Sequence, residues 1–230
     1  MSDADPQPLT VGFDLDQTLI DSRPGILATY RALSAHTGVF VDADAAVGRL
    51  GPPLAEELGR WFPAEQVEAA GDQFRALYAE HAITCSPLLP GVIEALACVR
   101  AHGGRVVVIT GKYEPNANLH LKHLGLVADV VVGWAWGPSK TEALLALGAG
   151  VYVGDHPHDM AAALAVAPRS LRADQPTQPE GPRVVGVGVG TGGWSAAELR
   201  AAGAAVVLTD LTEFPGWFEA HVRANGWLAA

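Results

Sequence analysis

Six short apolar runs recur along the chain, at residues 9–13, 105–110, 129–132, 150–153, 183–189 and 205–208. They are rich in valine and do not alternate strictly with polar residues, as expected of strands covered on both faces. Stretches of helical character lie between most of them. One, residues 90–102, carries Pro90 at its start and has Gly103 just past its end, the proline-first and glycine-last arrangement of a helix. Repeated strand–helix–strand units predict an α/β fold: a doubly wound, Rossmann-like parallel sheet with right-handed crossovers.

The alternation breaks once. Nearly a hundred residues separate the first strand from the second, and they read as helices at 24–36, 53–61 and 64–81, interrupted at Gly38, at Gly51-Pro52-Pro53 and at Phe62-Pro63. So long a segment is no simple crossover. It predicts an α-helical module at the carboxyl end of the sheet, with residues 1–20 and 88–230 forming the core and 21–87 the insertion. Residues 167–182, rich in Pro, Gln and Arg, read as a long surface loop.

Composition narrows the function. Hydrophobic residues make up 49% of the 230 and charged residues 17%, ample for a buried core and unlike a disordered chain. The formal net charge is −10 and the basic residues form no stripe, so nucleic acid is not an expected partner. No apolar stretch reaches the ~20 residues that cross a bilayer, so no membrane partner is expected either. The opening Met1-Ser2-Asp3-Ala4-Asp5-Pro6 lacks the basic-then-apolar order of a secretory signal. Two cysteines, Cys85 and Cys98, read as reduced thiols. Together these predict a cytoplasmic, soluble protein.

Ligands of open parallel sheets bind outside the carboxyl ends of the strands. The first strand ends in Asp14-Leu15-Asp16-Gln17-Thr18 and the fourth in Gly154-Asp155-His156-Pro157-His158-Asp159. A carboxylate can attack phosphorus, and a neighbouring carboxyl can protonate a leaving oxygen. Several carboxylates converging on one mouth need a cation, and an oxygen-rich set suits Mg²⁺. The plainer alternative is that Asp155 or Asp159 caps a helix, with Asp159 the better candidate. The second strand ends in Thr110-Gly111-Lys112, which offers a hydroxyl and backbone N–H groups to an anion. Lys140, one of three lysines, opens a helix, where a cation opposes the macrodipole unless an anion is bound. Lys112 is either part of that anion site or a surface lysine.

These strand ends, in this order, resemble the haloacid dehalogenase superfamily of phosphohydrolases. Asp14-Leu15-Asp16-Gln17-Thr18 is similar to its first motif, Thr110 to the second, Lys140 to the third and Gly154-Asp155 with Asp159 to the fourth. The helical insertion and Leu89-Pro90-Gly91-Val92 resemble the phosphoglycolate-phosphatase-like branch, whose insertion is a cap. The resemblance implies a phosphomonoester hydrolase of a small phosphorylated metabolite. Asp14 would be the nucleophile that becomes an aspartyl phosphate, and Asp16 the acid and then the base. Mg²⁺ would be held by Asp14, the backbone carbonyl of Asp16, and Asp155. Thr110, Gly111 and Lys140 would bind the phosphoryl group, with Asp159 and Thr18 supporting from behind. A phosphomutase shares the same motifs. The sequence departs from the branch at Gln17, where glycine is common, at Thr141, where proline is usual, and in the length of the loop at 167–182.

Other features admit two readings. Gly188-Val189-Gly190-Thr191-Gly192-Gly193, with Asp210 closing the next strand, fits a dinucleotide fingerprint and hence a nicotinamide-dependent oxidoreductase. It falls late in the chain, however, and Ser195 with Glu198 forms a capping box, so the glycines read better as a loop entering a helix. His156 and His158 are either metal ligands or loop residues. Trp134 and Trp136 either wall the cleft or pack in the core. Arg23 and Arg49 are candidates to grip substrate or are simply solvated.

Overall fold

The computed structural model describes residues 9–166 and 184–226; the expected loop at 167–182 lies outside them. Six strands form one sheet: β1 (Thr10–Phe13), β2 (Arg105–Ile109), β3 (Val130–Val132), β4 (Ala149–Gly154), β5 (Val185–Val189) and β6 (Val206–Leu208). Their order is β3-β2-β1-β4-β5-β6 and every pairing is parallel. The winding reverses between β1 and β4, so the crevice outside their carboxyl ends is the switch point of a doubly wound sheet.

The unbroken valine runs have a direct cause. Val106 and Val108 face one core together with Val11, Phe13, Val151 and Val153, while Val107 and Ile109 face another with Tyr152. Successive side chains leave a strand on opposite sides, and both sides here are covered. The first layer is closed by α5 (Val92–Ala101), α6 (Glu114–Leu124) and α10 (Phe214–Ala224), through Val99, Leu121 and Phe218. The second is closed by α7 (Pro138–Ala146) and α8 (Pro157–Ala165), through Leu144, Ala162 and Ala163. A short helix, α9 (Ala196–Ala201), joins β5 to β6 and starts with the expected capping box between Ser195 and Glu198.

Between β1 and β2 lie α1 (Arg23–Thr37), α2 (Ala43–Val47), α3 (Leu54–Leu58) and α4 (Val67–His81). They enclose a core of their own, with Tyr30, Leu33, Leu58, Phe74 and Tyr78 at its centre. The helix read at 53–61 is shorter than its pattern suggests, and that at 64–81 opens with a 3₁₀ turn, Ala64–Gln66, before α4 begins. The short α2 carries too few residues to show a helical period and is invisible in the pattern. The chain enters and leaves the module along adjacent paths: Ile20 bridges Leu88, and Asp21 N donates to Pro87 O at 2.9 Å. Among the described residues, no helix is long and apolar enough to cross a membrane.

Candidate active site

The floor of the crevice is built from the ends of β1 and β4. Asp14 N donates to Val153 O at 2.8 Å, which carries the sheet pairing one residue past β1 and fixes the Asp14 side chain over the switch point. Asp155 follows directly after β4, and Asp159 lies in the first turn of α8. Asp14, Asp155 and Asp159 are buried, and one carboxylate oxygen of each lies within 4.8 Å of the others. Lys140, in the first turn of α7, enters from the side with only 2% of its side chain exposed. Its Nζ is 3.1 Å from Asp14 Oδ1 and 2.5 Å from Asp159 Oδ1. The second oxygen of Asp159 accepts the His156 backbone N–H at 3.1 Å, closing a capping box on α8. Asp159 therefore caps its helix, as its position suggests, and also fixes the lysine.

The charges are strongly coupled to burial. Desolvation pushes the Asp14 carboxyl up to about 7; the Lys140 ammonium opposes the rise, and the charges of Asp159 and Asp16 add to it. Asp155 is likewise raised well above the usual carboxylate range by burial and by the Asp159 and Asp14 charges. Lys140 stays charged because Asp14 and Asp159 overcome the cost of its burial. One lysine does not balance three crowded carboxylates. Hard oxygen donors gathered this closely are the set that fits Mg²⁺. The histidines are used otherwise: His156 Nδ1 accepts the His158 backbone N–H at 3.1 Å, and the two rings stack 4.9 Å apart.

The loops around this floor are shaped to it. Thr18 is fully buried, and its hydroxyl donates to Asp155 Oδ1 at 3.4 Å. Gln17 has φ 57°, the left-handed conformation that glycine adopts at least cost. This is the position where the family resemblance leads one to expect glycine. The strained turn is held from outside, since the Thr191 hydroxyl donates to the Gln17 carbonyl and Gln17 Nε2 donates to Ser22 Oγ at 3.3 Å. Gly192 lies so close to Asp155 that a Cβ there would collide with its carboxylate. The glycine-rich run after β5 is thus a wall of the carboxylate crevice. It does not follow β1, where a dinucleotide fingerprint belongs.

The end of β2 faces the helical module. Thr110 is buried and lines the crevice with Gly111. Lys112 is no surface lysine: 7% of its side chain is exposed, and Nζ lies 2.9 Å from Asp16 Oδ1 and 2.7 Å from the Tyr78 hydroxyl. Tyr78 belongs to α4 and meets His120 Nε2 at 2.9 Å. Arg23 lines the crevice but is held by both oxygens of Asp21, at 2.8 and 3.0 Å. Arg49 does not line it; its guanidinium is bound to both oxygens of Glu57, at 3.0 and 2.6 Å. Trp134 and Trp136 both line it. Nothing in the local pattern distinguishes Tyr78 or Arg75 from ordinary residues of an amphipathic helix, yet α4 brings both to the crevice.

Crevice and module together enclose a cavity of about 580 Å³, with Asp14, Asp16, Asp155 and Lys140 at one end. A carboxylate beside a buried ammonium, with a second carboxylate two residues on, is equipped for nucleophilic attack and proton transfer at an anionic centre.

Known proteins resemble this chain in sequence and fold. The chain is 33% identical over 172 residues to the tyrosine-protein kinase PtkA of Mycobacterium tuberculosis, covering 69% of this chain and 59% of that protein. It thus spans less than two thirds of that relative's length. It is 32% identical to the phosphoglycolate phosphatase of Rhodospirillum rubrum, covering 69% of this chain and 76% of that one. A solved haloacid dehalogenase-like hydrolase of Streptococcus pneumoniae superposes with a TM-score of 0.73 at 20% identity, covering 92% of this chain and 98% of the other. The family model for haloacid dehalogenase-like hydrolases matches residues 11–164, so the chain belongs to that family.

Proposed function

We propose that this chain is a Mg²⁺-dependent phosphomonoester hydrolase acting in the cytoplasm on a small phosphorylated metabolite. The observation that carries the reading is the grouping of Asp14, Asp155 and Asp159 around one point, with the Lys140 ammonium bridging two of them. The relative in Rhodospirillum rubrum bears the name phosphoglycolate phosphatase, which supports the same class.

The ion would be held by Asp14, the Asp16 backbone carbonyl and Asp155. It would supply the positive charge that lets a phosphate dianion approach a carboxylate. Asp14 then forms a bond to phosphorus as the ester P–O bond breaks. Asp16 delivers a proton to the departing oxygen, which leaves as an alcohol. In the second half, Asp16 takes a proton from water, whose oxygen attacks phosphorus and frees Asp14 and inorganic phosphate. Lys140, Thr110 and the Gly111 backbone would hold the phosphoryl oxygens, and Lys140 would offset charge developing on them. Asp159 and Thr18 are positioning residues for Lys140 and Asp155. The helical module, residues 21–87, would act as a cap over the site. A phosphomutase would pass the group from Asp14 to a second hydroxyl instead of water.

The test is release of inorganic phosphate from 4-nitrophenyl phosphate with Mg²⁺ and with a chelator. Chelation and Asp14→Asn should each abolish turnover, and an Asp14→Asn protein of full activity would remove the assigned nucleophile. Phosphate released in step with alcohol identifies a hydrolase, whereas alcohol without free phosphate identifies transfer.

A further inference from the structure

The cavity offers more than phosphate handling requires. Its carboxylates and ammonium occupy one end, while the wall supplied by the module carries Ile26, Tyr30, Leu54 and Phe74. On the core side, Trp134 and Trp136 extend this apolar lining. Their rings are held in place by neighbours that line the same cavity. The Arg75 guanidinium lies 4.7 Å from the Trp134 ring centroid, Tyr113 packs edge-on against Trp134 at 5.3 Å, and His156 contacts Trp136 at 5.4 Å.

The cations of the module are already engaged. Arg23 is chelated by Asp21, and Arg75 is spread over Trp134 and paired with Asp72 at 2.7 Å. A leaving group ending in a carboxylate, as in phosphoglycolate, would meet arginines that already have partners. A volume of about 580 Å³ is also that of a site for a ring-bearing ligand, and a two-carbon acid would leave most of it to water.

Resting on the phosphatase reading above, we infer that the substrate is a phosphomonoester whose leaving group carries an aromatic ring, packed against the Ile26–Phe74 wall and Trp134. Burial of one ring is expected to raise kcat/KM by roughly 10- to 100-fold over an alkyl ester of equal leaving-group chemistry.

The experiment compares phosphate release, with Mg²⁺, from benzyl phosphate, ethyl phosphate, phosphoglycolate and acetyl phosphate. Benzyl phosphate should exceed ethyl phosphate and phosphoglycolate at least tenfold in kcat/KM. Trp134→Asn should move the benzyl-to-ethyl ratio toward one. Trp134 is 55% exposed with φ 56°, a conformation that asparagine tolerates, and a ratio within one protein does not depend on how much of it is folded. If acetyl phosphate is hydrolysed but ethyl phosphate or phosphoglycolate matches benzyl phosphate, the ring is refuted and the phosphatase reading stands. If the ratio survives Trp134→Asn unchanged, the tryptophan wall is refuted. Release from none of the four would overturn the phosphatase reading itself and this inference with it.

Discussion

Lys112 Nζ lies 2.9 Å from Asp16 Oδ1 and 2.7 Å from the Tyr78 hydroxyl, so one buried cation joins the core's second carboxylate to helix α4 of the inserted module. Asp16 and Tyr78 help keep the ammonium charged despite its burial. The contact ties the position of the module to the group assigned to proton transfer.

Lys112→Met should therefore act on both. It leaves Asp16 without its ion-pair partner, with an expected loss of about 2 kcal/mol in stability. It should also lower kcat by roughly tenfold or more, because Asp16 is no longer held in place. Thermal unfolding and steady-state kinetics with ethyl phosphate check the two together; a variant with unaltered kcat would show that the ion pair is structural only.

Gly192→Ala places a methyl group against the Asp155 carboxylate. Asp155 must turn away, so the Mg²⁺ concentration for half-maximal activity should rise about tenfold or more, with a smaller change in melting temperature. Metal titrations of the two proteins decide it. An unshifted titration would mean that Asp155 does not serve the ion.

His120 supplies a pH dependence. It is fully buried, and desolvation with the Lys112 charge lowers its pKa to about 4. An unfolded imidazole titrates near ~6.5. Between these values the unfolded chain holds a proton that the folded chain lacks, so stability falls as pH falls from about 6.5 toward 4. The difference is on the order of 2 kcal/mol. Above about 6.5 both states are neutral at this residue and the loss is absent. Melting temperatures at pH 7 and pH 5 should drop less in His120→Gln than in the parent protein.

Glu57 organises the module. Burial works to raise its pKa, but hydrogen bonds from Arg49 and Trp61 hold it below the usual carboxylate range. Glu57→Ala strands these donors and should cost about 1–3 kcal/mol. Far-ultraviolet melting measures this, and a change under half a kcal/mol would assign the cluster no structural weight.

The fold and the floor of the site are legible in the sequence because buried parallel strands leave uninterrupted apolar runs, and the residues that end those runs are where ligands bind. Asp14 and Asp155 fall at such places, Lys140 opens the helix after the third run, and the structure brings the three together. Lys112 is half-legible: its place after β2 is plain, but its partner on α4 is some thirty residues away in sequence and reaches it only through tertiary packing. Arg49 is a positive charge whose use depends on Glu57, eight positions on across a turn, and no periodicity reports that. Gln17 is instructive in another way. Its motif position suggests glycine, and its φ of 57° explains why, while the bond from Thr191 that holds the turn arrives from a distant loop.

The pairing of Ile20 with Leu88 places both seams of the insertion side by side, past the carboxyl end of the central strand β1. A segment whose two ends meet can be lengthened, trimmed or transplanted without rethreading any strand. On the proposed reading, variation between the seams would retune selectivity while Asp14 and Asp155 stay where β1 and β4 put them, provided the Tyr78–Lys112 contact to Asp16 is kept.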